Sequence, residues 1–310
     1  MRKRVDGQML GGFLKFFKGL DGRVKVAIAG IGIQNWGQRL SMQYNQLYAM
    51  DLGADAVALG LLNSIGAAVS SIVSVPLGLA TEKYTVKRIM LLGLALTAIS
   101  ATIFILAGDW WILIPAFIMG GRLIRIMPLT DIIFITATKP EQRATIMSLS
   151  RVIWGMLDMF APMMAALIVA SYGGINAQGI RPLYYIQLVL TIFVLFFIAG
   201  KLQPLPVHND RKGGELGSKG MSFFREYREL FRGEKWLKRW IGLRIIQQFG
   251  ASLAMPFVPL WMVNVKGATP SILGMMGTAS VVMSLALQIP AGRLADKVGR
   301  KKVFFLLRPI

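Results

Sequence analysis

The 310-residue chain contains no cysteine and one histidine, His208. The first absence excludes disulfide frameworks, zinc-thiolate sites, iron–sulfur clusters and thiol nucleophiles. The second removes every chemistry that needs two imidazoles. Acidic residues are scarce, 15 against 35 Lys and Arg, and charged residues make up only 16% of the chain. A soluble domain carries roughly 25% charged and about 45–50% apolar residues; here 55% are hydrophobic and mean hydropathy is +0.56. Disorder is excluded, and a soluble enzyme is not expected. No Gly-x-x-x-x-Gly-Lys-(Ser/Thr) loop is present, so nothing supports ATP-driven pumping. No cofactor or metal is expected either.

What the chain has instead is a series of apolar runs near 20 residues long, each sufficient for a helix crossing a ~30 Å hydrocarbon core. The runs predict spans 1 to 8 at 24–50, 56–80, 88–107, 110–138, 144–171, 182–201, 236–263 and 271–295, with a ninth starting near Lys302. None alternates with the period of two that a lipid-facing barrel needs. The expected fold is therefore an all-α integral membrane bundle. A six-helix first half lies at 23–202, and an incomplete second half at 236–310 holds spans 7, 8 and the start of 9. Residues 1–22 and 203–235 form an amino-terminal segment and a linker. Phe13, Phe16 and Phe17 beside Lys15 and Lys18 suit a helix lying in the interface. Trp110 and Trp111 suit an aromatic belt.

The distribution of Lys and Arg sets the orientation. Of the 35 basic residues, 28 fall in the amino-terminal segment and in the breaks 2–3, 4–5, 6–7 and 8–9, and only Arg181 and Lys266 fall in the alternate breaks. The amino terminus and the linker are expected in the cytoplasm, the protein in the plasma membrane as a multi-pass chain. Topology accounts for most of the net charge of +20, so no nucleic-acid partner is expected. The expected partners are the lipid bilayer, a small solute and protons, with no obligate protein partner.

Residues 74–88 read SVPLGLATEKYTVKR and residues 288–302 read QIPAGRLADKVGRKK. At an offset of 214, Pro76 meets Pro290, Gly78 meets Gly292, Glu82 meets Asp296 and Lys83 meets Lys297. Upstream, Gly60 meets Gly274 and Ser64 meets Thr278, a small-residue spacing that lets helices approach closely. Two like-oriented six-helix halves are a known transporter plan. Asp296 and Arg300 lie four apart, a spacing at which opposite charges meet on a helix. Such a clasp at the mouth of a bundle would have to break when two halves rock, and Gly299 permits a sharp reversal of the chain.

The stretch from Gly292 through Asp296, Lys297, Gly299, Arg300, Lys301 and Lys302 resembles the loop signature of the major facilitator superfamily, Gly-x-x-x-Asp-(Arg/Lys)-x-Gly-Arg-(Lys/Arg)-(Lys/Arg). The first-half copy, with Gly78, Glu82 and Lys83, departs from it at Glu82 and at Thr85. Ala161-Pro162-x-x-Ala165-Ala166 is similar to a softened form of the span 5 motif associated with proton antiporters, and Arg122 lies where the family often has an arginine. The resemblance implies a secondary transporter working by alternating access, with the two loop copies as gates. By the offset, Ile310 corresponds to Leu96, so the second half lacks counterparts of residues 97–202 and a complete chain is expected to continue.

Ionisable residues within spans are costly and point to function. At 1.5 Å per residue, Arg39 lies roughly 22 Å and Asp158 about 20 Å from the cytoplasmic edge, so the two can meet. Arg122 lies roughly 12 Å deep by the same measure. Asn35, Arg39 and Gln43 share one face of span 1, and Arg244, Gln247 and Gln248 offer a facing set on span 7. These seven residues form the expected solute site. Asp158 reads either as a proton carrier or as a structural partner of Arg39. The surplus of arginine favours an anionic or zwitterionic solute. Two other readings stand beside this one: efflux of hydrophobic compounds by proton antiport, and a non-transporting sensor or inert product.

Overall fold

The computed structural model describes residues 19–120, 124, 126–203 and 235–298; at 75, 78–79, 81–83, 235–237, 289, 291–293 and 295–298 it describes the backbone only. Every regular element among the described residues is a helix. Lipid leaves little alternative, because a chain crossing hydrocarbon must satisfy each backbone N–H and C=O internally. Six segments are long and apolar enough to cross a membrane: Ala56–Ser74, Val86–Leu106, Pro140–Ser171, Ala177–Lys201, Lys238–Asn264 and Pro270–Gln288. Their surfaces display large apolar side chains such as Leu106, Ile72 and Phe196, about 70% exposed. On a soluble protein such a surface would aggregate; here it faces acyl chains.

Several expected spans are interrupted. Span 1 is two helices, α1 (Gly22–Met42) and α2 (Asn45–Asp51), with Gln43 and Tyr44 between them. The Tyr44 N–H bonds to the carbonyl of Ser41 at 2.9 Å, a three-residue step that tightens the turn. Span 2 is α3 (Ala56–Lys83) and span 3 is α4 (Val86–Leu106). Span 4 opens with a 3-10 turn, then α5 (Leu113–Met119), which closes at Gly120, and α6 (Ile126–Ala137). Span 5 divides into α7 (Pro140–Asp158) and α8 (Ala161–Ser171). Pro162 has no N–H to give the carbonyl of Asp158, four residues earlier, and its ring crowds that carbonyl, so the break falls where a proline dictates. Span 6 is α9 (Ala177–Lys201) and begins five residues before the expected start. Span 7 comprises α10 (Lys235–Ala254), a 3-10 turn containing Pro256, and α11 (Val258–Asn264). Span 8 is α12 (Pro270–Val298). Span 9 lies outside the described residues.

Two apolar clusters hold the helices together, the first of them reaching Leu260 and Leu273 of spans 7 and 8. One is centred on Tyr48, Phe104 and Tyr184, with the Phe104 and Tyr184 rings stacked at 4.5 Å. The other is centred on Ile31, Met90, Ile133 and Trp154. Helix ends are closed by side chains from other spans. Arg181 donates to the carbonyl of Ala107, the residue capping α4, at 2.7 Å, and to the Tyr48 hydroxyl at 3.0 Å. That hydroxyl in turn donates to the Phe104 carbonyl at 2.7 Å. At the other end of the bundle Lys87 donates to the Ala199 carbonyl near the end of α9 at 2.6 Å. The first half meets span 8 through α8 and α12: a Cβ on Gly274 would lie 2.5 Å from the Ala166 Cβ. Only glycine allows that approach.

Arg181 thus ties spans 1, 3 and 6 with one guanidinium. Arg181→Ala is expected to lower the melting temperature of the purified protein, with a cost of about 1.5–3 kcal/mol for the lost charged hydrogen bonds. Arg181→Lys should recover only part of it, because an ammonium cannot reproduce the planar fork. An unchanged melt in Arg181→Ala would refute the clasp.

Candidate functional site

The site is built from the side-by-side packing of α1 and α7. The Trp154 ring occupies a notch at Gly32, where an added Cβ would sit 2.9 Å from its Cδ1. Its indole N–H donates to the Ile28 carbonyl at 2.8 Å. One helical turn further along α7 comes Asp158, and Arg39 reaches it from α1: Nε donates to Oδ2 at 3.4 Å. The Arg39 side chain is 43% exposed and that of Asp158 16%. The second carboxylate oxygen, Oδ1, is buried and makes no hydrogen bond among the described residues. The pair therefore joins an accessible guanidinium to a carboxylate with half its hydrogen-bonding capacity unused.

One turn beyond Arg39, Gln43 stands at the break of span 1. Its Oε1 would lie 3.0 Å from a Cβ added to Gly277 of α12, and the Pro162 Cβ would lie 2.7 Å from the same point. Spans 1, 5 and 8 converge here. The buried Gln43 Nε2 and the Thr278 Oγ1 have no hydrogen-bond partner among the described residues. With Asp158 Oδ1 they add unmet polar capacity to this three-helix junction.

Of the expected solute-site residues, the structure brings Arg39 against Asp158 and sets Gln43 against span 8. Asn35 is half-buried on α1. Arg244, Gln247 and Gln248 are exposed on α10; Arg244 stacks over the Trp240 ring at 5.1 Å and Gln248 donates to Ser252 at 3.2 Å. Those two partners, Trp240 and Ser252, belong to α10 itself. Arg122, Gly299 and Arg300 lie outside the described residues. The loop signature corrects in one respect: α3 runs through Glu82 and Lys83, and α12 runs through Gly292, Asp296 and Lys297. Those positions, with Gly78, are helix and not loop. Their side chains are outside the described set.

Sequence reasoning missed the polar contacts between spans 1 and 6 and between spans 1 and 2. Ser41 donates to Gln187 Oε1 at 2.6 Å, and Gln46 and Asn63 exchange amide hydrogen bonds at 3.2 and 3.3 Å. The available signal was Gln187 itself, an amide inside the otherwise apolar run of span 6. Among the described residues no group of three His, Asp or Glu is placed to hold a metal.

The sequence model of the Major Facilitator Superfamily matches residues 27–245 and 240–307. Among solved structures, the chain is similar to a bacterial homologue of the human lysosomal transporter Spinster, in an inward-facing and unoccupied conformation. Identity is 17%, the TM-score is 0.67, and the match covers 91% of this chain and 64% of that one. It is also similar to a D-xylose–proton symporter, at 14% identity and a TM-score of 0.58, covering 88% of this chain and 69% of that one. Both likenesses concern the fold, and the chain spans about 64% of the length of the first of these relatives. A search of curated proteins finds no match.

Trp154 is the residue that sets α7 against α1. Trp154→Phe keeps a ring in the Gly32 notch and removes only the N–H, so a loss of about 1 kcal/mol in stability is expected. Trp154→Ala empties the notch and should cost about 3–5 kcal/mol. Thermal unfolding in detergent reads both, and equal melting of the two variants would show that the notch does not hold the helices.

Proposed function

The chain belongs to the major facilitator superfamily, and from that premise we propose that it moves a small anionic solute across the membrane by alternating access, coupled to protons. The observation that carries this reading is the Arg39–Asp158 ion pair, half-exposed on the arginine side. Charges at membrane depth persist where they have work to do. In the resting state each neutralises the other. A proton on Asp158 removes its charge, weakens its hold on Arg39 and leaves a guanidinium whose fork matches a carboxylate or phosphate. Anion and proton then enter together, and the net charge of the occupied site equals that of the empty one. Release of the anion lets Arg39 return to Asp158 and favours loss of the proton.

The other members of the solute site are Asn35 and Gln43, on the Arg39 face of α1, Arg122 from span 4, and Arg244, Gln247 and Gln248 from span 7. Gly78, Glu82 and Lys83 on one half and Gly292, Asp296, Lys297, Gly299 and Arg300 on the other form the gate at one mouth. The halves, 23–202 and 236–310, rock about the solute site, with the amino terminus and the 203–235 linker in the cytoplasm and the protein in the plasma membrane. The proton symporter among the structural neighbours gives proton coupling a precedent in this fold. The efflux alternative drew on the Ala161–Ala166 stretch. There Pro162 and Ala166 lie against Gly274 and Gly277, a packing role that favours no solute.

The test is uptake into vesicles containing the protein, acidic outside, across a panel of small carboxylates and phosphates. Arg39→Ala should reduce uptake tenfold or more, the equivalent of about 1.4 kcal/mol. Asp158→Asn should lose accumulation driven by the pH gradient while keeping downhill exchange. Accumulation that survives in Asp158→Asn contradicts the assignment of the proton to that carboxylate. Proton release on adding a hydrophobic cation would instead favour efflux.

A further inference from the structure

Span 5 carries a second charged residue at membrane depth besides Asp158. Arg151 is exposed on α7, two turns before Asp158. The segment Pro140–Ser171 holds 32 residues, and Arg151 stands about 7 Å from its middle, well inside a ~30 Å hydrocarbon core. A guanidinium at that depth faces water or protein, because hydrocarbon does not solvate charge. The packing of α7 shows which way it points. Each residue of a helix is turned by about 100° from the one before, so Trp154 lies about 60° to one side of Arg151, Gly155 about 40° to the other, and Asp158 about 20° away. Trp154 is the contact with α1, through Gly32 and Ile28. Gly155 is the contact with α12, where an added Cβ would lie 2.6 Å from the Leu285 Cδ2. Arg151 therefore opens into the cleft between spans 1 and 8, on the face that carries Asp158.

The elements packed against α7 bring Arg151 no counter-charge. Along α12, Leu285 meets Gly155, Gly277 meets Pro162 and Gly274 meets Ala166. This antiparallel series sets Arg151 level with Gln288, which is exposed. The sequence of α12 holds no acidic residue before Asp296, and that of α1 holds none at all. On α7 itself Asp158 is engaged by Arg39, and the ion pairs among the described residues, Arg23–Asp21 and Arg39–Asp158, do not include Arg151. A lone positive charge in a cleft of low dielectric attracts an anion strongly, and a guanidinium fork matches a carboxylate or phosphate. Building on the anion-transport reading, we infer that Arg151 binds a second acid group of the solute. The solute is then an elongated dianion held between Arg39 and Arg151, its acids about 10 Å apart, the axial separation of Asp158 and Arg151. The first acid enters with the proton on Asp158 and leaves the charge of that pair unchanged. The second neutralises Arg151.

The experiment measures binding to the purified chain in detergent, by thermal shift at constant ionic strength. The probes are linear dicarboxylates from butanedioate to decanedioate and their monomethyl esters, which keep the length and one acid but lack the second charge. The proposal requires a long diacid to bind at least tenfold more tightly than its half-ester. Arg151→Gln should abolish that difference and leave half-ester affinity unchanged, and its unliganded melt should match that of the unaltered protein because the side chain is exposed. Arg151→Lys should restore part of the preference, since an ammonium supplies the charge without the fork. Arg39→Ala should weaken both compounds. A diacid bound no better than its half-ester, a preference that survives Arg151→Gln, or no binding of any diacid would overturn the inference. Half-ester binding that depends on Arg39, without any preference for diacids, would do so while leaving the anion reading intact. Diacid binding that depends on Arg151, without transport in vesicles, would support the site and overturn the transport reading alone.

Discussion

Hydrocarbon cannot hydrogen-bond, and each unsatisfied polar group inside it costs several kcal/mol; most features of this protein follow from that constraint. It makes the described elements helical and gives their ends to side chains from other spans. Arg181 closes α4, Lys87 reaches a carbonyl near the end of α9, and Asp51 accepts from the Ala177 N–H at 2.6 Å. The same pressure turns intramembrane hydroxyls back on their own helices, as Thr97, Thr130 and Thr191 each bond the carbonyl four residues earlier. Among the described residues the buried side-chain atoms left without partners belong to Gln34, Gln43, Tyr44, Arg143, Asp158 and Thr278, and three of them, Asp158 Oδ1, Gln43 Nε2 and Thr278 Oγ1, lie near the junction of spans 1, 5 and 8.

Helix interruptions are where the chemistry gathers. Pro162 breaks span 5 just after Asp158, and the tightened turn at Tyr44 breaks span 1 between Arg39 and Asn45. A continuous helix hides its backbone oxygens; an interrupted one presents them, and both interruptions lie beside the ion pair. Close packing then fixes the geometry. Gly32 admits Trp154, and Gly274 and Gly277 admit the Pro162–Ala166 face, so that spans 1, 5 and 8 meet within side-chain reach.

The approximate positions of spans 1 to 8 were legible because hydropathy is a local property that sums over about 20 residues. The meeting of Arg39 and Asp158 was legible too, since both could be measured along parallel helices from one edge. The interruption at Gln43 was not, because no proline or glycine marks it. Nor was the role of Arg181, which counted only as a topology signal until its partners on spans 1 and 3 were seen. Ser41–Gln187 spans 146 residues of sequence, and nothing local announces such a pair. Arg244, Gln247 and Gln248 could be placed on one span by spacing, yet spacing says nothing about what that span faces. The loop signature gave the family, and its acidic positions proved to be the ends of long helices.

The central claim is that Asp158 exchanges a proton while Arg39 exchanges partners. Infrared difference spectra of the membrane-embedded chain between acidic and neutral buffer test it most directly, comparing the unaltered protein with Asp158→Asn. The account predicts a protonated-carboxyl band in the unaltered protein that is missing from the variant. Identical spectra from the two would contradict it, leaving Asp158 a permanently ionised partner that only holds Arg39 in place.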